Sequence, residues 1–431
     1  MNTRPRRDFL AHAGTHPAGA GRRRKIMLND QSLTIKDVAK FLNISTQMVH
    51  ILIKQGRLKA FKIGSAIRIL SSDLMEFIRE QKREFRGGAL EFSNENDELF
   101  VVHNLSCRQG HFSLRDINLS FPRQKLLVIL GPSGAGKSLL LQTIAGLKKA
   151  DTGSVFLGTR RLDQLPVQER KTGFVFENYA LFENMRAGQN VGFPLSVQHE
   201  KKDVITQRVR EIIEEFEIDE KYLPKQVDEL PEGIKQLVAI GKERIRELDL
   251  FLMDEPMSKL DKHIKQVMTV FIKKLINKMG KTTIISLNDP ELTMALGDYV
   301  AVLGNGGIVQ FGETLDVYEH PNAPFVMELL SRFKTNIIPV EIRQKKTVPF
   351  GLSADRADGS YSLGFRAEEI RVADTDSGIK ARVVNSGFHD NRQKIVRCVL
   401  EQAGTEAELV VPLDTADEFR FVPEKPLLFE A

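Results

Sequence analysis

Long apolar runs are missing from these 431 residues. A membrane-spanning helix needs roughly eighteen or more consecutive apolar residues, and no stretch approaches that, so the chain does not cross a membrane on a helix of its own. Cysteine is almost missing too. Cys107 and Cys398 are far apart and lack metal-site spacing, which points to buried thiols in a reducing cytoplasm. An export signal is not expected either. Arg6-Arg7-Asp8-Phe9-Leu10 starts like a twin-arginine leader, but the AHAGTHPAGAG that follows is small and polar where an apolar core is required. What remains is ordinary for a globular chain, 42% apolar and 28% charged, long enough for two or three domains.

Charge is unevenly spread. The net value is only +5, yet residues 1–90 hold 18 Lys and Arg against 7 Asp and Glu, which leaves the remainder net acidic. A basic head on an acidic body points to a polyanionic partner for the head. Residues 1–30 form a tail rich in Arg, Gly, Pro and Ala that is expected to be disordered; it is either a basic arm or sequence upstream of a start at Met27.

Residues 31–86 read as a small domain. Thr34-x-x-Asp37 caps a helix with Ile35, Val38, Ala39 and Leu42 inward, and Ser45 caps a second with Val49, Leu52 and Ile53 inward. Two short strands around Phe61/Ile63 and Ile67/Ile69 turn at Gly64-Ser65, and Ser72 caps a third helix. The stretch LTIKDVAKFLNIS…VHILIKQGRLKAFKIGSAIRILSSDLMEFI resembles the excisionase-type winged helix-turn-helix domain. That resemblance implies a second helix in a DNA major groove, with Thr46, Gln47 and His50 at base edges. Lys54, Arg57, Lys62 and Arg68 would then meet phosphates. A linker follows at 87–97.

The body is organised around KLLVILGPSGAGKSLLLQTIAGL, residues 125–147. An apolar strand enters Gly131-Pro132-Ser133-Gly134-Ala135-Gly136-Lys137-Ser138 and leaves as an apolar-faced helix. This is the G-x-x-x-x-G-K-S/T phosphate loop in its strand–loop–helix setting. Gly131, Ser133, Gly134, Ala135, Gly136, Lys137, Ser138 and Leu139 are expected to hold a polyphosphate through backbone N–H groups and the Lys137 charge. The Ser138 hydroxyl is placed for Mg²⁺. A second apolar strand, Leu250-Phe251-Leu252-Met253, ends in Asp254-Glu255. Asp254 belongs near the same Mg²⁺, and Glu255 is the candidate general base for water.

These motifs, with LPVQERKTGFVFENYALFENM, DEPMSKLD and GDYVAVLGNGGIVQFGETLDVYEHPNAPFV, resemble an ATP-binding cassette ATPase of importer type across 98–330. The resemblance implies an α/β P-loop NTPase core, ATP and Mg²⁺ as ligands, head-to-tail pairing with another cassette subunit, and a membrane permease as partner. It also implies a location in the cytoplasm, peripheral on the inner face of a bacterial plasma membrane. Several working positions depart from the pattern. The Q-loop glutamine is Glu177, the LSGGQ signature is Leu230-Pro231-Glu232-Gly233-Ile234, and the switch histidine is Asn288. Gln109 stands where the family places an aromatic against adenine, with His111 and Phe112 as substitutes nearby. Catalytic roles therefore fall to Glu255, Asn288 and Glu177, with Glu177 also facing Mg²⁺. Glu232 would bring an anion toward a partner-held triphosphate, at about 4 kcal/mol per unit-charge pair 4 Å apart in an effective dielectric near 20. Two outcomes stay open: binding with little or no hydrolysis, or modest turnover from Lys137, Asp254 and Glu255.

Residues 331–431 carry short alternating runs that predict a small β-barrel. GFRAEEIRV followed by KARVV resembles the transport-associated, oligonucleotide-binding-like domain of importer ATPases, in which Arg366, Arg382, His389 and Arg392 are candidate anion ligands. The whole is an importer ATPase subunit with a DNA-binding head or, in the alternative, an ATP- or oxyanion-responsive DNA-binding regulator.

Overall fold

The computed structural model describes residues 32–35, 38, 49, 53, 58–63, 66–70, 73–74, 98–373, 378–390 and 392–430. The chain divides into two units, Met1–Phe92 and Ser93–Ala431.

In the first unit three strands, β1 (Ser32–Thr34), β2 (Phe61–Ile63) and β3 (Ala66–Leu70), form an antiparallel sheet in the order β1-β3-β2. Ile35, Val38, Val49 and Ile53 lie in helical segments. Val38, Val49, Leu58, Ile69 and Leu74 make its buried core. The strand β1 is an addition to the sequence expectation: Thr34 pairs with Arg68 before the helix begins. The wing strands bury their apolar residues unevenly, with Ile67 half-buried. Ile69 is fully buried, whereas Phe61 is 37% exposed.

The second unit is built on a six-stranded sheet. Strands β4 (Leu99–Gln109) and β5 (Phe112–Pro122) lead into β6 (Leu126–Leu130), the phosphate loop and helix α1 (Lys137–Ala145). Strands β7 (Thr152–Leu157), β8 (Arg160–Arg161) and β9 (Thr172–Val175) follow, then helices α2 (Ala187–Val197), α3 (Lys202–Glu215) and α4 (Glu232–Arg244). Next come β10 (Leu250–Asp254), α5 (Lys262–Met279), β11 (Thr282–Leu287), α6 (Pro290–Leu296), β12 (Tyr299–Gly304), β13 (Gly307–Glu313), α7 (Thr314–Glu319) and α8 (Pro324–Leu330). The central order is β13-β12-β6-β11-β10-β9, parallel throughout except for the edge strand β13.

Parallel strands covered on both faces are apolar without a break, and LLVIL in β6 is buried at every position. Strand alternation divides its side chains between two cores. Leu126, Val128 and Leu130 face the cluster formed with α2–α5, and Leu127 and Ile129 face α1 and the antiparallel sheet β5-β4-β7-β8. The pattern repeats in β10, with Phe251 and Met253 on the first face and Leu250 and Leu252 on the second. This burial is what aligns the carboxyl ends of β6, β9, β10 and β11 along one edge.

Residues beyond α8 form two antiparallel sheets around one core. They are β15-β14-β16-β22 and β17-β21-β18-β19-β20, from β14 (Thr335–Arg343), β15 (Lys346–Val348), β16 (Gly359–Arg366), β17 (Ile370–Ala373), β18 (Ile379–Phe388), β19 (Gln393–Leu400), β20 (Thr405–Pro412), β21 (Glu418–Pro423) and β22 (Leu427–Glu430). The Asn336 side chain on β14 acts as an extra strand, donating to the Glu408 carbonyl and accepting its N–H, each at 2.9 Å. Cys398 lies in this core, where burial pushes its thiol up to about 11. Cys107 is buried in the cassette.

Arg366 corrects the expectation of an anion ligand. Only 1% exposed, it donates from Nη1 to both Glu369 carboxylate oxygens (3.2 and 3.1 Å), from Nη2 to the Tyr318 carbonyl (2.6 Å) and from Nε to Ser331 Oγ (3.0 Å). Its guanidinium also lies 3.8 Å from the centre of the Tyr318 ring. Tyr318 and Ser331 belong to α7 and the end of α8, so Arg366 pins the C-terminal sheets to the cassette. Arg382 is exposed on β18, and His389 packs edge-on against Phe333 at 4.8 Å.

Candidate functional site: a phosphate loop at the carboxyl edge of the sheet

In an open parallel sheet, ligand sites lie beyond the carboxyl ends of the strands. Four adjacent strands end here in candidate residues: β6 in the phosphate loop, β10 in Asp254 and Glu255, β11 in Asn288, and β9 in Glu177.

The loop's shape follows from its neighbours. A Cβ on Gly131 would stand 2.5 Å from the Leu303 carbonyl oxygen at the end of β12. Gly136 has φ +103, and a Cβ there would meet the Phe112 ring at 2.7 Å. Both positions thus require glycine. Gly136 is also the N-cap of α1, with no side-chain acceptor and no acidic residue in the first turn. The first N–H groups of α1 are accordingly left to a ligand, and the helix dipole favours an anion. Ser133 and Gly134 are exposed, Ala135, Lys137 and Leu139 buried, and Ser138 half-buried.

Lys137 is 4% exposed and its ammonium is shared three ways, with the carbonyls of Gly131 (2.9 Å) and Pro132 (3.1 Å) and with Glu255 Oε1 (3.0 Å). The other Glu255 oxygen accepts from Asn288 Nδ2 at 3.3 Å. Glu255 holds φ +42, unusual for a residue with a Cβ, and its N–H donates to Ser286 Oγ at 2.9 Å. Ser286 Oγ donates in turn to Asp254 Oδ1 at 2.7 Å, and Ser138 Oγ donates to the same oxygen at 3.0 Å. Burial pushes the Asp254 carboxyl up, opposed by these two hydrogen bonds. Lys137, Ser138, Asp254, Glu255 and Asn288 are thus one connected cluster. Ser286 joins it, a residue that sequence reasoning missed although it stands two positions before Asn288.

Glu177 is exposed and has no hydrogen bond or ion pair with the described residues. At the β4–β5 tip Gln109 is exposed, and its cross-strand partner Phe112 is the aromatic whose ring lies against Gly136.

The altered signature is not a bare negative charge. Pro231 is the N-cap of α4 and Glu232 its first residue. Glu232 accepts from the Tyr179 hydroxyl at 2.7 Å and pairs with Lys235 at 2.9 Å, and these contacts hold its carboxyl below the usual range, with Lys259 adding to the effect. The Lys259 ammonium lies 5.1 Å from the Tyr179 ring. Tyr179 and Ala180 both have positive φ, and Lys242, further along α4, donates to the Ala180 carbonyl. The expectation of a repelling carboxylate is therefore modified: Glu232 stays ionised, but two lysines and a hydroxyl surround it.

In the first unit Lys62 is exposed and Arg68 half-buried on the wing. Thr46, Gln47, His50, Lys54 and Arg57 lie outside the described residues.

Comparison with known proteins agrees with this geometry. The "ABC transporter" family model matches residues 114–258, and a "Helix-turn-helix domain" model matches residues 32–82. The chain is 32% identical over 315 residues to the maltose/maltodextrin import ATP-binding protein MalK of Escherichia coli K12, covering 69% of this chain and 81% of that one. It is also 32% identical over 334 residues to the sulfate/thiosulfate import ATP-binding protein CysA of Mesorhizobium japonicum, covering 74% and 95%. A solved dimeric post-hydrolysis state of the ATP-binding cassette MJ0796 bound to ADP and Pi aligns at 25% identity and a TM-score of 0.46, covering 50% of this chain and 98% of that one. With its phosphate loop, its Asp254-Glu255 strand end and importer subunits as relatives over most of their length, the chain belongs to the ATP-binding subunits of the ABC transporter family.

Proposed function

We propose that this protein is an importer-type cassette subunit that binds ATP in its phosphate loop, hydrolyses it slowly and carries a DNA-binding head. The observation that carries this reading is the connected cluster of Lys137, Ser138, Asp254 and Glu255 beside the uncapped start of α1. The amides of Gly131–Leu139 and the Lys137 ammonium bind the phosphates. The Ser138 hydroxyl and Asp254 carboxylate, 3.0 Å apart, are hard oxygen donors that suit Mg²⁺, and they would hold it. That ion, when bound, offsets phosphate charge. Glu255 takes the proton of the attacking water on its carboxylate. Asn288 orients Glu255 through one N–H but has no titratable proton, and Glu177 offers acceptors only. Phe112 is the aromatic available to the nucleotide base.

Turnover is slow because Pro231 removes a backbone N–H and Glu232 fills the signature with a carboxylate already engaged by its own chain. Replacing Pro231→Ser, Glu232→Gly and Asn288→His together is expected to raise steady-state ATP turnover several-fold. An unchanged rate would place the slow step outside the signature and switch.

Importer function requires a second cassette and a permease. A groove of about 930 Å³ between α2 and α3, lined by Met185, Phe193, Ile205 and Arg210 among others, suits a permease helix. Among the described residues no helix is long and apolar enough to cross a membrane. MalK and CysA are named for a sugar and for oxyanions, so the likeness supports the importer class without choosing a substrate.

The second reading, a nucleotide-responsive DNA-binding regulator, is favoured by the helix-turn-helix match and the altered signature and switch. In either case Thr46, Gln47 and His50 read bases, and Lys54, Arg57, Lys62 and Arg68 meet phosphates. Deleting residues 1–88 is expected to abolish retention of upstream duplex DNA while ATP affinity stays within two-fold. DNA retention by the truncated chain would remove the head from the account. In the full chain, a shift of DNA affinity on adding ATP supports the regulator, and indifference supports the transporter subunit.

A further inference from the structure

A pocket of about 500 Å³ has Asn288 in its lining and no residue of the phosphate loop. It is lined by Lys262, Lys265 and Gln266 of α5, the switch segment Asn288–Leu292, and Arg332 just beyond α8. Its two carboxylates are occupied. Asp289 caps α6, accepting from the Leu292 N–H at 3.1 Å, and Glu291 is paired with Arg332 at 2.7 Å. Lys262 and Lys265 have no ion-pair partner among the described residues, and Lys265 is half-buried. The lining thus carries three cations against two carboxylates, with no direct ion-pair partner for either ammonium group, the side-chain amides of Gln266 and Asn288 beside them and no aromatic ring.

Two like charges on adjacent turns of a helix repel, and a bound dianion removes that repulsion while gaining charge-assisted hydrogen bonds. We propose that this pocket binds a small dianion of the phosphate or sulfate class, either free or as a phosphate monoester, and that the ligand acts on hydrolysis through Asn288. Asn288 lines the pocket and gives one N–H of its side-chain amide to Glu255, so an anion that takes the second N–H pulls on the group that orients the general base. Arg332, also in the lining, lies over the Phe333 ring at 5.2 Å, and that ring meets His389 just beyond β18, so a chain of contacts runs from the pocket to the C-terminal domain. The effect on hydrolysis rests on the role proposed above for Glu255; the binding itself does not.

The test is calorimetric titration of the full chain with inorganic phosphate, sulfate and glucose 6-phosphate at constant ionic strength in chloride. It is run in a Lys137→Ala background so that the phosphate loop does not report. The expected result is saturable binding that weakens at least ten-fold in Lys262→Met/Lys265→Met, two substitutions on a largely exposed helix turn. Preference for glucose 6-phosphate over both inorganic ions identifies a monoester ligand, and the reverse identifies a free oxyanion. Binding that survives the double substitution, or that is absent once Lys137 is replaced, overturns the proposal. ATP affinity measured separately with Lys137 intact shows whether the cassette reading holds, so the two can fail independently.

Discussion

Replacing Lys137 with alanine lowers ATP affinity at least a hundred-fold in equilibrium nucleotide titration, a loss of about 2.7 kcal/mol or more. Two effects add. A charge-assisted hydrogen bond to phosphate contributes roughly 1.5–3 kcal/mol. In addition Glu255, whose carboxylate is 3.0 Å from the Lys137 ammonium and 17% exposed, is left as an uncompensated anion facing the phosphates. Lys137→Ala/Glu255→Gln therefore recovers part of the loss. A Lys137→Ala chain with unchanged affinity would mean that the nucleotide does not sit on this loop.

Arg366→Met destabilises the transition that reports unfolding of the C-terminal sheets by about 3–5 kcal/mol, the usual cost of removing one partner from a buried ion pair. Glu369 loses both of its bonds from Nη1, the Tyr318 carbonyl and Ser331 hydroxyl lose their donors, and the Tyr318 ring loses its cation. Arg366→Lys keeps the charge without the planar fork and falls between the two. Chemical denaturation measures the effect, and a loss below about 1 kcal/mol would show that the C-terminal sheets are held to the cassette by other contacts.

Local signals carried much of this protein. The apolar runs of β6 and β10 announce strands buried on both faces, and the glycines and lysine between β6 and α1 announce the phosphate loop. Strand ends, in turn, place Asp254, Glu255 and Asn288 by family likeness. What could not be read was which side chains meet across the sheet. Ser138 and Asp254 are 116 positions apart, and Ser286 lies a further strand away. Nothing local to Glu232 announces Tyr179, 53 positions earlier, as its hydrogen-bond donor, so a substitution that reads as plain repulsion proves to be locally neutralised. Arg366 shows the same limit in reverse. A lone arginine at a strand end looks like a surface ligand, and only the packing of α7 and α8 over it turns it into a buried clamp. In the wing, alternation marks Phe61 and Ile69 alike, but a three-stranded sheet over a small core buries only Ile69.

The experiment to do first is steady-state ATP turnover by the purified full-length chain, beside Glu255→Gln at matched nucleotide occupancy. The expected result is slow turnover that Glu255→Gln removes at least a hundred-fold, while ATP stays bound and binds more tightly because Lys137 no longer shares its charge with a carboxylate. Turnover that persists in Glu255→Gln, or ATP that fails to bind either chain, would contradict a cassette working from Lys137, Asp254 and Glu255.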